Sequence, residues 1–111
     1  MNNTKTKRET DLDAITSHMR TAMSACRSTN GRVIIGGDVR IYINMGVGNN
    51  YFVADRMSDG IMRYANFHNG IKQASFTPPV ECFQREWDEF LSESIKVAKR
   101  LGLPITVCEE P

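Results

Sequence analysis

From Thr77 to Gly102 the chain reads TPPVECFQREWDEFLSESIKVAKRLG, and within it Val80, Phe83, Trp87, Phe90/Leu91, Ser94/Ile95, Ala98 and Leu101 recur every three or four residues. That period lays one apolar stripe along a long helix. Thr77 serves as N-cap and Pro78 takes the first helical position, where its missing N–H costs nothing. Acids lead (Glu81, Glu86, Asp88, Glu89) and bases follow (Lys96, Lys99, Arg100), as the helix dipole favours, and Gly102 with Pro104 supplies the stop. Such a stripe must cover something. The only large apolar surface before it is a run of short strands.

Those strands begin at Arg32, where the apolar period changes to two. RVII is a short apolar run, and Gly36-Gly37 marks a turn or bulge. In DVRIYINM, Val39, Ile41, Ile43 and Met45 alternate with Arg40, Tyr42 and Asn44, the pattern of a half-buried strand. GVGNN is a loop, NYFVADRM a second strand of this set, Ser58-Asp59-Gly60 a turn, IMRYANF a third, His68-Asn69-Gly70 a hairpin turn and IKQASF a fourth. Tight turns in succession predict an antiparallel meander. ITVC, after the long helix, either adds a short edge strand or packs against the body.

Before the strands, Thr10 and Asp13 resemble a helix N-cap pair, and Leu12, Ile15, Met19, Ala22/Met23 and Cys26 repeat at helical spacing up to Asn30-Gly31. His18 sits beside that stripe as a boundary residue. Residues 1–10 are expected to be a flexible basic tail, with Lys5, Lys7 and Arg8 against Glu9. The remainder, 11–108, is one α+β domain with its core in 32–102: an N-terminal helix, a curved antiparallel sheet of four to five strands, and a long C-terminal helix on one face. The other face is left for solvent, a partner subunit or a ligand.

Composition narrows the chemistry by subtraction. No apolar run approaches a membrane span, the first residues lack the apolar core of a secretory signal, and Cys26, Cys82 and Cys108 are odd in number and far apart. A cytoplasmic protein with buried thiols is expected. Gly46-Val47-Gly48 runs from strand to strand and lacks the following helix that would hold a phosphate. Two histidines fifty residues apart and no CxxC pairing predict no metal site. A nucleophile built from Cys26 or Cys82 with His68 has no local signature, and Asp55, Asp59 and Glu81 read as surface and turn acids. No enzyme and no cofactor are expected.

The strands themselves carry a second pattern. Arg40 and Tyr42, with Tyr51 or Phe52, Arg56, Arg63, Tyr64, Phe67 and Lys72, interleave rings with cations. Single-stranded nucleic acid needs both, since rings stack on bases and cations follow phosphates. The plainer alternative is that half these rings are core and the arginines solvate the sheet. Tyr42 and Tyr64 share strand faces with polar neighbours and are expected to be the exposed rings.

A four-strand meander running straight into one long helix, through a Ser-x-Thr-Pro junction and a tryptophan, resembles the positive-cofactor-four family of transcriptional coactivators and their bacterial and viral relatives. VRIYINMG, NYFVADR, IMRYANF and IKQASFTP are similar to its four strands and REWDEFL to its helical tryptophan segment, over residues 39–95. The resemblance implies a homodimer that binds single-stranded DNA in transcription, replication or recombination, with proteins of those pathways as further partners and no membrane. On it, Arg40, Tyr42, Arg56, Arg63, Tyr64 and Lys72 would line the DNA channel, and Phe83, Trp87, Phe90, Leu91 and Ile95 the dimer interface. The family's lysine-bearing first loop is here GVGNN, without a base, so part of the family's DNA grip is either missing or supplied elsewhere, by the tail bases or the added N-terminal helix. Two rival classes remain: a small protein-interaction module, regulator or inhibitor, using the same sheet face, and a small enzyme joining His68 to Cys82 or Glu81.

Overall fold

The computed structural model describes residues 4–27, 29–46, 48–73 and 79–108, and in it the chain is α+β. Helix α1 (Lys7–Cys26) starts before the expected Thr10 cap. Thr6 Oγ1 accepts the Glu9 N–H at 3.1 Å while the Glu9 carboxylate accepts the Thr6 N–H at 3.0 Å, a capping box that satisfies two otherwise orphaned donors. Of the stretch 1–10 expected to be a flexible tail, residues 1–3 lie outside the described residues and Lys7 to Thr10 belong to the helix. Lys7 and Arg8 are helical, and Lys5, Lys7 and Arg8 pair with Asp13, Asp11 and Glu86.

Strands β1 (Arg32–Gly36), β2 (Arg40–Asn44), β3 (Tyr51–Arg56), β4 (Ile61–His68) and β5 (Ile71–Lys72) form the meander, each antiparallel to the last. Turn chemistry sets it: Gly37 and Asp38 between β1 and β2, and Asn69 and Gly70 between β4 and β5, all take positive φ, as tight hairpins require. Among the described residues of the expected fourth strand IKQASF, Ile71–Lys72 pair as β5. Residues 74–78, with the Thr77-Pro78 cap, lie outside the described residues.

Two further strands change the sheet from the antiparallel one expected. Val80–Glu81 forms β6 against Ile61 and Met62 of β4, and β7 (Ile105–Cys108) lies parallel to β1, giving the order β5-β4-β3-β2-β1-β7. Helix α2 (Gln84–Leu101) therefore begins at Gln84, with Val80 and Phe83 outside it. The Glu86 carboxylate caps the Phe83 N–H at 2.9 Å. Parallel pairing of β7 follows from where α2 runs. It starts beside the β1–β2 turn, where the Trp87 indole donates to the Asp38 carbonyl at 2.7 Å, and ends where the Pro104 carbonyl accepts the Val33 N–H. The chain then has to travel in the direction of β1.

Both helices cover the same face of the sheet. Ile15, Met19 and Met23 of α1 and Trp87, Phe90, Val97 and Ala98 of α2 join Val33, Ile41, Ile43, Phe52, Ala54 and Met62 in one cluster. α1 lies against α2, β2, β3 and β6, so the added first helix shares the cover that the sequence assigned to the last. The loop after β2 is fastened to the end of α1. Thr29 Oγ1 donates to the Met45 carbonyl, and a Cβ on Gly46 would lie 1.8 Å from the Thr29 carbonyl oxygen.

Trp87→Ala is expected to cost about 3–5 kcal/mol, since it empties a large buried volume and orphans the Asp38 carbonyl; a urea midpoint unchanged from the parent would contradict this packing. The Arg8 guanidinium, opposed by partial burial and helped by the Phe83 N–H, holds the Glu86 carboxyl below its ordinary value of 4.5. A carboxyl depressed by folding adds stability that is present above its unfolded value and lost as pH falls through the folded one. Between about pH 5 and pH 2 the parent should therefore lose more stability than Glu86→Gln does, as read from urea midpoints across that window.

Candidate nucleic-acid interface

Strand alternation divides the sheet into a covered face and an open one. Val33, Ile43 and Phe52 pair across one row and Ile35, Ile41, Ala54 and Tyr64 across another, all beneath the helices. The residues between them point the other way. Their rows read Arg32–Asn44–Tyr51–Phe67–Lys72, then Ile34–Tyr42–Val53–Ala65, then Gly36–Arg40–Asp55–Arg63.

Three rings on that open face form a ladder. Tyr42 stacks on Tyr51 at 4.9 Å between centroids and Tyr51 on Phe67 at 4.4 Å, with interplanar angles of 30° and 16°. Each ring is half-buried. Such pairs are worth about 0.5–1.5 kcal/mol beyond their buried area. Tyr51 is the inner ring, stacked on both sides, and Tyr42 and Phe67 are the outer rings. Arg32 and Lys72 close the row that holds Tyr51 and Phe67, one at either end, both exposed.

Of the residues expected to line a channel, Arg40, Tyr42, Arg63 and Lys72 share this face, and Arg56 and Tyr64 do not. Tyr64 lies opposite the small Ala54 on the covered face, where the His18 ring of α1 stacks on it at 5.2 Å and Phe52 tilts against it at 5.9 Å. It is a core ring, 9% exposed. Its neighbour Met62 carried the better signal, because an apolar residue two places away marks the buried side. Arg56 points to the same covered side and fastens β3 to the start of α2, donating to the Cys82 carbonyl at 2.6 Å and to Gln84 Oε1 at 2.9 Å. Arg32, absent from the interleaved set read from the sequence, joins this face, as does Phe67, which was in that set but not among the expected channel residues. Of the pair Tyr51 or Phe52, the open face takes Tyr51, because Phe52 is fully buried.

The far row is charge-paired. Arg40 meets Asp55 at 3.7 Å, and Arg63 meets Asp59 of the β3–β4 turn at 3.0 Å. Burial first, then the nearby Tyr51, pushes the Tyr42 phenol above its ordinary value, so its hydroxyl stays protonated at neutral pH. Of the expected dimer residues, Trp87 and Phe90 are buried in the chain's own core, which corrects their assignment to a subunit interface. Leu91 and Ile95 are half-buried against that core, and Phe83 is exposed beneath the Arg8 guanidinium at 4.5 Å.

The alternative chemistry is separated in space. His68 ends β4, whereas Glu81 pairs with Ile61 at its start, roughly 20 Å away along the strand. Burial pushes the neighbouring Cys82 thiol up to about 11, opposite to what a nucleophile needs. Among the described residues no group of three His, Cys, Asp or Glu side chains is arranged to hold a metal ion, and no helix is long and apolar enough to cross a membrane.

No family model, curated protein or solved structure matches the chain.

The two tyrosines should behave differently on truncation. Tyr64→Ala is expected to cost about 3 kcal/mol as a core deletion and Tyr42→Ala about 1 kcal/mol as a surface stack, measured by chemical denaturation. Equal losses would place both rings in the same environment and refute the assignment of faces.

Proposed function

We propose that the open sheet face binds single-stranded nucleic acid, with DNA the substrate implied by the likeness to the positive-cofactor-four family, and that the protein acts by binding in transcription, replication or recombination without chemistry of its own. The observation that supports this reading is the aromatic row closed by cations, Arg32–Asn44–Tyr51–Phe67–Lys72, with Tyr42 stacked beside it. Bases stack on the outer rings, Tyr42 and Phe67, and the flanking cations meet the phosphates. Four of the five strand bases lie on this face, and Arg56 is the exception. A homodimer, which the likeness also implies, would meet a second copy through Phe83, Leu91 and Ile95 rather than through Trp87.

The charge-paired row favours one second reading. Arg40–Asp55 and Arg63–Asp59 offer both signs to a partner, as a protein-interaction surface does, and Tyr and Arg are common anchors there.

Fluorescence anisotropy of a labelled deoxythymidine oligomer separates the two. The expected result is binding that weakens steeply with salt and is poorer for duplex. Tyr42→Ala and Phe67→Ala should each lose about 1–3 kcal/mol of affinity while the fold stays intact. Absence of binding at low salt would reject the nucleic-acid reading and leave the protein-partner one.

A further inference from the structure

Charge is sorted along the strand axis. The carboxylates of the described residues lie in the first turns of α1, at the β1–β2 turn, at the end of β3 and the β3–β4 turn, and from β6 to Glu93 in α2. The fold gathers most of these segments at one end of the sheet, as the contacts Arg8–Glu86, Trp87–Asp38 and Arg56–Gln84 record. The opposite end, among the described residues, holds bases without a carboxylate. Arg27 ends α1, Arg32 opens β1, Lys72 lies in β5, and Lys99 and Arg100 occupy the last turn of α2. All five are exposed, and among the described residues none of them pairs with an acid.

Backbone contacts bring four of the five together. The Gly31 N–H donates to the Cys26 carbonyl, which ties the end of α1 to Arg32, and the Val33 N–H donates to Pro104, two residues past the Gly102 that stops α2. The helix dipole accounts for bases in a final turn of a helix, but not for Arg32 and Lys72, which stand on strands. The row that carries Tyr51 and Phe67 is also the open-face row nearest this end. The rings thus lie at the basic pole and the charge-paired row of Arg40 and Arg63 at the acidic one.

We infer that the nucleic-acid track does not stop at the sheet. It turns past Arg32 over the end of the molecule and continues across Arg27, Lys99 and Arg100, so that a strand longer than the ladder lays its phosphates on the ends of both helices. This rests on the reading of the open face above. The occupant is a single-stranded polyanion, because the rim is continuous with the stacking rings and its five exposed bases have no acid partner among the described residues.

The test titrates the parent and the double variant Lys99→Ala/Arg100→Ala with deoxythymidine oligomers of about four and about sixteen nucleotides, the limits of site size for such surfaces. The long oligomer should bind the double variant on the order of tenfold more weakly at low salt, with the slope of log affinity against log salt shallower by about 0.7 per charge removed. The short oligomer should bind both proteins alike. Equal binding of the long oligomer to both proteins overturns the extension and leaves the ladder reading standing. Failure of the parent to bind either oligomer overturns that reading and the extension with it. Binding of phosphatidylserine vesicles that the double variant loses, with oligomer affinity unchanged, assigns the rim to a membrane surface and also overturns the proposal.

Discussion

A sheet has two faces, and this chain has apolar helical surface enough for one. The stripe of α1 and the stripe of α2 enter the same cluster, so each adds depth to a single core and neither reaches the other side. The rest of the structure follows from that choice. Residues at alternate strand positions are either under helices or in the open, and the open set contains the stacked rings and four of the strand cations. The start of α2 secures the arrangement. Trp87 reaches the β1–β2 turn, Arg56 holds the segment between β6 and α2, and Arg8 brings in the first helix, so three elements depend on one end of one helix.

Much of this architecture was legible in the sequence, and the legible parts were the local ones. Asn69-Gly70 and the Gly-rich turns fix hairpins within a few residues, and the period of two along RIYIN and YFVADR needs no knowledge of what lies above. The core stripe of α1 from Ile15 to Cys26 was equally plain. The long-range decisions were not. Whether Val80 begins a helix or joins β4 depends on pairing with Met62, well back in the chain, and parallel pairing of β7 depends on the whole path of α2. One local signal was overlooked: Thr6 and Glu9 form the usual capping spacing, whereas Thr10 and Asp13 only approximate it.

The site was legible in its residue types and less so in its parity. IMRYANF offers Met62, Tyr64 and Asn66 on one side and Arg63, Ala65 and Phe67 on the other, and composition favours neither side strongly. The small residue opposite Tyr64 and the histidine above it decide the matter, and both come from elsewhere in the chain. Arg32 escaped notice because it stands at the start of a strand and joins the rings only through the pairing of β1 with β2.

The ladder also bears on how the protein keeps company with itself. Three unattached aromatic rings on an open sheet would offer a broad oily surface, the kind that drives molecules in concentrated solution to cling to one another. Stacked on one another, Tyr42, Tyr51 and Phe67 are each half-buried, and the row that holds Tyr51 and Phe67 is closed by a cation at either end. The face can therefore stay uncovered without being adhesive, and only flat partners that fit the two end rings gain much by approaching it.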